Sequence, residues 1–344
     1  MSTLGLVSAA PGRCPGCGSG LADGLLSCPG CQRLVHADRL KTLAAEAAAA
    51  AEAGDLPAAL GAWRESLLLL PPTSRQHAWV SSQIAPLSER VDVTPPPMPT
   101  SGRWKWLAAL GPVALLLWKF KFLVVAALSK GKLLLLGLTK AGTLLSMFAM
   151  VGVYWTVWGF WFALGVVLSI YVHEMGHVAA LRRYGIPASA PMFIPGFGAL
   201  VRLRQSPANA RENSRVGLAG PLWGLGAAIV ALLAAQLTGG GLWGAIARTG
   251  AWINLFNLMP IWQLDGSRAF AALTRSQRWI AVLALAGAWW LSADGVVLLV
   301  LIVAVATTAT TTAAAQADRG ALALFAAIAL GLAAVFRFSA GLGL

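Results

Sequence analysis

From residue 143 to residue 336 the sequence is a succession of apolar runs, and the short connections between them hold most of its arginines. Lipid offers a backbone N–H or C=O no hydrogen-bond partner, so runs of this length and composition read as helices that satisfy their own backbone. Composition supports this: 58% of residues are hydrophobic and 11% charged, with a mean hydropathy of +0.70. A typical soluble domain has about 25% charged residues. The expectation is an all-α polytopic membrane protein.

Threading the runs gives 143–158 outward, 160–180 inward, 218–237 outward, 243–264 inward, 279–291 outward, 296–313 inward and 321–336 outward. The aromatic cluster Tyr154, Trp155, Trp158 and Trp161 suits the far interface, where amphipathic rings settle. Arg182, Arg183, Arg202, Arg204, Arg211, Arg215, Arg268, Arg275 and Arg278 then fall on one side, as the positive-inside bias requires. Residues 1–100 hold 7 Lys/Arg against 8 Asp/Glu, so the whole net charge of +13 comes from the membrane part. That distribution fits the cytosolic face of a bilayer, and no nucleic-acid partner is expected. No secretory signal precedes the first cysteine, so the N-terminus is expected in the cytosol and the chain in the cell membrane.

Four cysteines make up the whole complement, as Cys14-Pro-Gly-Cys17 and Cys28-Pro-Gly-Cys31. Two such knuckles present four thiolates to a structural Zn2+, and a cytosolic setting disfavours disulfides. A zinc ribbon is expected over 12–38. From 41 to 91 the pattern turns helical, broken at Gly54-Asp55 and Pro71-Pro72, and resembles one tetratricopeptide unit with a cap helix. A small helical hairpin packed on the ribbon is an equal reading, because a lone unit has no neighbour to cover its face. A Pro-rich linker is placed at 92–103, and Lys119, Lys121, Lys130, Lys132 and Lys140 mark 104–141 as basic interfacial helices.

One apolar run contains three ionisable groups. His173-Glu-Met-Gly-His177 sets two imidazoles at i, i+4 on one helix face, able to share a zinc ion, with Glu174 beside them to take a proton from metal-bound water. Chance would produce this pattern in roughly one such chain in a thousand. A catalytic zinc site usually has three protein ligands. Beyond His177 the acids are Glu212, in an Arg-rich connection, Asp294 and Asp318, in turns, and Asp265, at the end of an apolar run on the same membrane side. Position selects Asp265.

The surroundings of Asp265, Asn257-Leu-Met-Pro260-Ile-Trp-Gln-Leu264-Asp265-Gly266, taken with H-E-x-G-H, resemble the site-2 protease family of intramembrane zinc metalloproteases. Leu218-Ala-Gly-Pro-Leu-Trp-Gly224 resembles that family's Gly-Pro span, and the likeness covers roughly 143–275 in family order. It implies a site-2 protease-like catalytic core over 142–278, followed by additional transmembrane helices over 279–344. It also implies His173, His177 and Asp265 as ligands of a catalytic Zn2+ and Glu174 as general base. Asn257 and the break at Pro260 would bind substrate backbone or stabilise the oxyanion; a helix-capping amide is the other reading of Asn257. Asn254 is expected to be a packing or hydrogen-bonding residue. The segment 191–204, with Gly198, is expected to form a membrane-dipping hairpin to which substrate adds as a strand.

The implied activity is hydrolysis of peptide bonds in transmembrane protein substrates, within the lipid bilayer. Many relatives carry a PDZ domain between the Gly-Pro span and the Asn/Asp span; here only 238–242 join them. Control or recruitment is instead expected from the N-terminal head, through a cytosolic protein that it binds. Two other readings stand beside the protease: a catalytically inactive membrane scaffold of the same fold, and a metal transporter.

Overall fold

The apolar runs are helices. The structure, a computed structural model, describes residues 12–93, 138–187, 191–194, 198–200 and 205–340. The Pro-rich linker from residue 94 and nearly all of the lysine-punctuated segment lie outside the described residues. Two antiparallel knuckles carry the cysteines and lead into α1 (Ala37–Glu52), α2 (Leu56–Leu68) and α3 (Arg75–Val93). The membrane part follows as α4 (Leu138–Trp158), α5 (Phe160–Arg183), a hairpin of β1 (Met192–Ile194) and β2 (Gly198–Leu200), then α6 (Ala210–Thr238), α7 (Gly241–Asn257), α8 (Asp265–Ala271), α9 (Arg275–Ser292), α10 (Gly295–Thr310) and α11 (Arg319–Ser339). It is an all-α membrane fold with, among the described residues, one two-stranded ribbon.

Short polar residues set the helix starts. Asp55 begins α2 by accepting from Ala58 N–H, and Asn209 begins α6 by accepting from Glu212 N–H at 2.8 Å. Thr274 and Gln277 form a reciprocal box at the start of α9. Asp294 caps α10 and Asp318 caps α11, which accounts for two of the acids in the membrane part. Gly159, at φ +84, turns the chain between α4 and α5 within one residue.

Among the described residues three helices, α5, α6 and α11, are long and apolar enough to cross a membrane. α10 has 16 residues, about 24 Å at 1.5 Å per residue, and is short of the roughly 30 Å hydrocarbon layer. The run 243–264, expected as one inward span, is instead α7 up to Asn257 and a turn that leads into α8. Pro260 cannot continue the helix, and Trp262 turns the chain with φ +54, fixed by the Ser267 hydroxyl donating to its carbonyl at 2.9 Å. The arginine-rich connection between the expected runs 160–180 and 218–237 ends early for a similar local reason. Asn209 nucleates α6, so Arg211, Glu212 and Arg215 are helical and project beyond its apolar stretch.

Packing follows a single plan. α6 and α7 form the centre with α9 and α11, around buried Leu218, Leu255, Leu258, Phe270, Leu285, Phe325 and Ile328. α4, α5 and β1 form a second layer around Met150, Val167 and Phe193. A third cluster joins Leu56, Leu60, Trp63 and Ile84 of the N-terminal helices to Leu181, Tyr184, Ile186 and Val216 of the membrane part. Leu145, Phe148, Trp161, Val230, Leu237, Leu283, Trp290 and Ile302 are exposed on the helix faces, where the solvent is lipid.

Candidate functional site

His173 and His177 lie one turn apart on α5, and Asp265 is the first residue of α8. All three are buried, at 4%, 9% and 8% exposure. Their donor atoms form a nearly equilateral triangle: His173 Nε2 to His177 Nε2 is 3.1 Å, and Asp265 Oδ2 is 3.2 and 3.3 Å from the two nitrogens.

The other ring nitrogens fix the tautomers. His177 Nδ1 lies 2.8 Å from the Val216 carbonyl, which only accepts, so Nδ1 carries the hydrogen. His173 Nδ1 lies 2.7 Å from Asn254 Oδ1, and the Asn254 amide NH2 is committed to the Gly250 carbonyl at 2.8 Å. Both Nε2 atoms are therefore left with lone pairs aimed at each other and at a carboxylate oxygen. Such a trio repels itself unless a cation sits among its members. With bonds of about 2.0–2.1 Å and tetrahedral angles, zinc ligands lie roughly 3.3 Å apart. The donor set and its spacing fit that ion, with one position left open.

Close approach to the triangle comes from glycine. On α6, Gly217, Gly220 and Gly224 face the site; a Cβ on Gly220 would run into both imidazoles, and one on Gly224 into the Asn254 amide. Gly176, between the histidines, sits against the Ala219 carbonyl in the same way. The Gly-Pro segment is thus the wall of the histidine cluster.

Glu174 is 8% exposed on the same helix, and its carboxylate makes no hydrogen bond to the described residues. Asn257 is the half-buried last residue of α7, and its side chain too makes no hydrogen bond to the described residues. Pro260 is buried, with its carbonyl accepting from the Thr307 hydroxyl at 3.1 Å. Gly198 opens β2 and pairs with Ile194 in an antiparallel ribbon. That ribbon is fastened to α4, where Thr143 donates to the Pro191 carbonyl and Ser146 accepts from Phe193 N–H, and Phe193 stacks on Tyr171 of α5. A cleft of about 500 Å³ beside α8 is lined by Asn209, Asn213, Trp262, Gln263, Ser267 and Arg268.

Asn254 was legible only as a hydrogen-bonding residue, and the Val216 carbonyl not at all. A lone asparagine in an apolar helix signals a buried partner, whereas a backbone acceptor leaves no mark in sequence.

A second cluster lies in the head. The four cysteine Sγ atoms all fall within 4.8 Å of one another, with Cys14–Cys31 and Cys17–Cys28 each at 3.5 Å, too far for disulfides. The two knuckles repeat one backbone pattern: Cys14 N–H reaches the Ser19 carbonyl and Cys28 N–H the Arg33 carbonyl, while Gly18 and Gln32 take positive φ at equivalent places. Backbone N–H groups of Gly16 and Cys17 lower the Cys14 thiol, and hydrogen bonds from Ser19 lower Cys17 to about 6. Although the Arg33 N–H acts to lower it, Cys31 is pushed up to about 12 by the neighbouring Cys14 and Cys17 sulfurs. Four thiolates this close need a cation, and the set fits a structural zinc site.

Residues 161–241, from α5 to the start of α7, match peptidase family M50, the site-2 protease family. Over those residues the chain is similar to that family. The M50 segment contains His173, Glu174, His177 and the Gly-Pro segment, whereas Asp265 lies beyond it. A curated relative, "Probable zinc metalloprotease EGY2, chloroplastic" from Arabidopsis thaliana, is 33% identical over 76 residues. Those residues are 21% of this chain and 14% of that protein's length. No solved structure matches. In this chain the helices bounding the Gly-Pro span are joined by Gly239 and Gly240 alone, with Gly239 at φ +63.

Proposed function

We propose that this chain is an intramembrane zinc metalloendopeptidase that hydrolyses a peptide bond in a transmembrane substrate. The observation that carries this reading is the triangle of His173 Nε2, His177 Nε2 and Asp265 Oδ2, whose tautomers leave three electron pairs converging on one point. His173, His177 and Asp265 would hold the ion. Bound there, zinc would supply Lewis acidity toward a water and toward the scissile carbonyl.

The remaining work falls to the chain. Glu174, beside the ligands and free of hydrogen bonds to the described residues, takes the proton from the attacking water and passes it to the leaving amine. Asn257 presents an amide uncommitted among the described residues for the substrate backbone or the developing oxyanion. The break at Pro260 returns the chain so that Asp265 meets the histidines. The ribbon that includes Gly198 offers an edge along which an unwound substrate segment pairs as a strand. Unwinding is required because a helical substrate keeps its carbonyls hydrogen-bonded.

The chain is proposed to be multi-pass in the cell membrane, with the four-cysteine head holding a structural zinc in the cytosol. The arginine-rich helix ends of α5, α6 and α9 support that orientation. Substitution Glu174→Gln tests the mechanism. Purified protein should keep its zinc and lose cleavage of a single-span substrate by about 10²–10⁴-fold, the range for a general base. Cleavage at the unsubstituted rate would overturn the proposal.

A further inference from the structure

The N-terminal head does more than sit beside the membrane part. Arg64, on α2, is buried, and its guanidinium bridges two helices of the membrane core at once. Its Nε donates to the Tyr184 carbonyl at 3.0 Å, just past the end of α5. Its Nη2 donates to Glu212 Oε1 at 2.5 Å, in the first turn of α6, with side-chain exposures of 3% and 0%.

These two anchor points lie on the helices that orient His177. Tyr184 follows His177 by two turns of α5, and Glu212 precedes Val216 by one turn of α6. His177 Nδ1 and the Val216 carbonyl close the circuit at 2.8 Å. The result is a ring: Arg64, Tyr184, down α5 to His177, across to Val216, along α6 to Glu212, and back to Arg64.

Neighbouring contacts leave the ring little slack. The second Glu212 oxygen accepts from Ala208 N–H. Gln205 donates to the Arg64 carbonyl at 2.6 Å. Gly185, at φ +63, packs on the backbone at Leu60 and Gly61 so closely that any side chain there would collide with α2. Arg215, beside Val216, donates to Asp318 at 2.9 Å and lies 3.9 Å from Asp92 of α3, which holds the same turn from its other side.

We propose that Arg64 of the head is a positioning residue for the metal site, stapling α5 to α6 so that His177 Nε2 is held toward His173 and Asp265. The inference rests on the reading of those three residues as zinc ligands. A planar guanidinium is needed, because a lysine ammonium can reach the carboxylate or the carbonyl but lacks the fork that takes both.

The test uses the full-length protein in detergent, stripped of metal and titrated with cobalt and zinc. Thiolate charge-transfer absorption reads the cysteine site, and d–d absorption read after that site is filled reads the histidine site. Three variants are compared: Arg64→Lys; the double substitution Arg64→Met with Glu212→Leu, which leaves no buried charge; and Leu60→Ala, which loosens the same interface outside the ring. Arg64→Lys and the double variant should melt near the parent and keep the cysteine site. Both should lose on the order of tenfold in affinity at the histidine site, the lower end for partners that orient a ligating histidine. Leu60→Ala should lower the melting temperature with histidine-site affinity retained.

A parent protein that takes up no metal at the histidines would sink the zinc reading itself. Parent binding with unchanged affinity in both Arg64 variants overturns the staple. An equal loss in Leu60→Ala, or collapse of the whole fold in both Arg64 variants, overturns it as well, because the role would then be structural support alone.

Discussion

At the scale of single residues, the site is decided by which atoms are already committed. Asn254 and Asn257 lie one turn apart on α7, yet their chemistry differs. Asn254 is buried and spends both ends of its amide, one on Gly250 and one on His173, whereas Asn257 spends neither on the described residues. Substituting Asn254 with leucine keeps the branched side-chain shape and removes the acceptor that fixes the His173 tautomer. Zinc affinity at the histidine site should fall by about 10–100-fold. Asn257→Ala should leave zinc uptake unchanged and lower turnover. Metal titration of both variants checks the pair, and equal uptake by both would show that the His173–Asn254 bond does not orient the ligand. The sequence made His173, Glu174 and His177 legible because helical geometry converts an i, i+4 spacing into a shared face. Asn254 carried a weaker signal, since a lone amide in an apolar helix tells of a partner without naming it. The Val216 carbonyl carried none, because every residue has one.

At the scale of elements, α6 shows how a span serves as a wall. Gly217, Gly220 and Gly224 recur at helical spacing and let α8, the histidines and Asn254 approach its backbone. Gly220→Ala would drive a methyl group into the space between the two Nε2 atoms, with backbone on one side and both imidazoles on the other. The expected outcome is loss of zinc at the histidine site, with the cysteine site still filled, read by metal content before and after thiol modification. Retained zinc at full occupancy would mean that α6 can back away. The small residues of this span were visible in sequence, but the partner they admit was not, because a glycine marks a close approach without saying to what. The run 243–264 was misread for a complementary reason. Hydropathy continues through it unbroken, and only Pro260 and the left-handed Trp262 end α7 and turn the chain into α8. Helix α6 also starts earlier than its apolar stretch, where the Asn209 cap outweighs the charge of the first turn.

At the scale of the whole molecule, the head and the membrane core share one hydrophobic cluster, with Leu60, Trp63 and Ile84 packed against Leu181, Tyr184 and Val216. Charge distribution pointed toward two separate bodies, an N-terminal part near neutrality and a basic membrane part joined by prolines. Nothing local in either part announces an interface. Its polar core pairs Arg64 with Glu212, residues that lie far apart in the chain and are unremarkable in their own surroundings. Burial changes their meaning, because a charge without its partner at such a place costs about 3–5 kcal/mol. A protease site introduced between Val93 and Leu138 makes this measurable. After complete cleavage in detergent, the head should still elute with the core on size exclusion, held by the shared cluster and the ion pair. Arg64→Glu sets two buried carboxylates against each other, and its head should be released, with retention weakened on the order of a hundredfold or more. A head that leaves the unsubstituted core as soon as the chain is cut would show that the shared cluster is too weak to hold the two parts together. The interface would then need the covalent connection, and Arg64 could not hold His177 in place from a body that departs so readily.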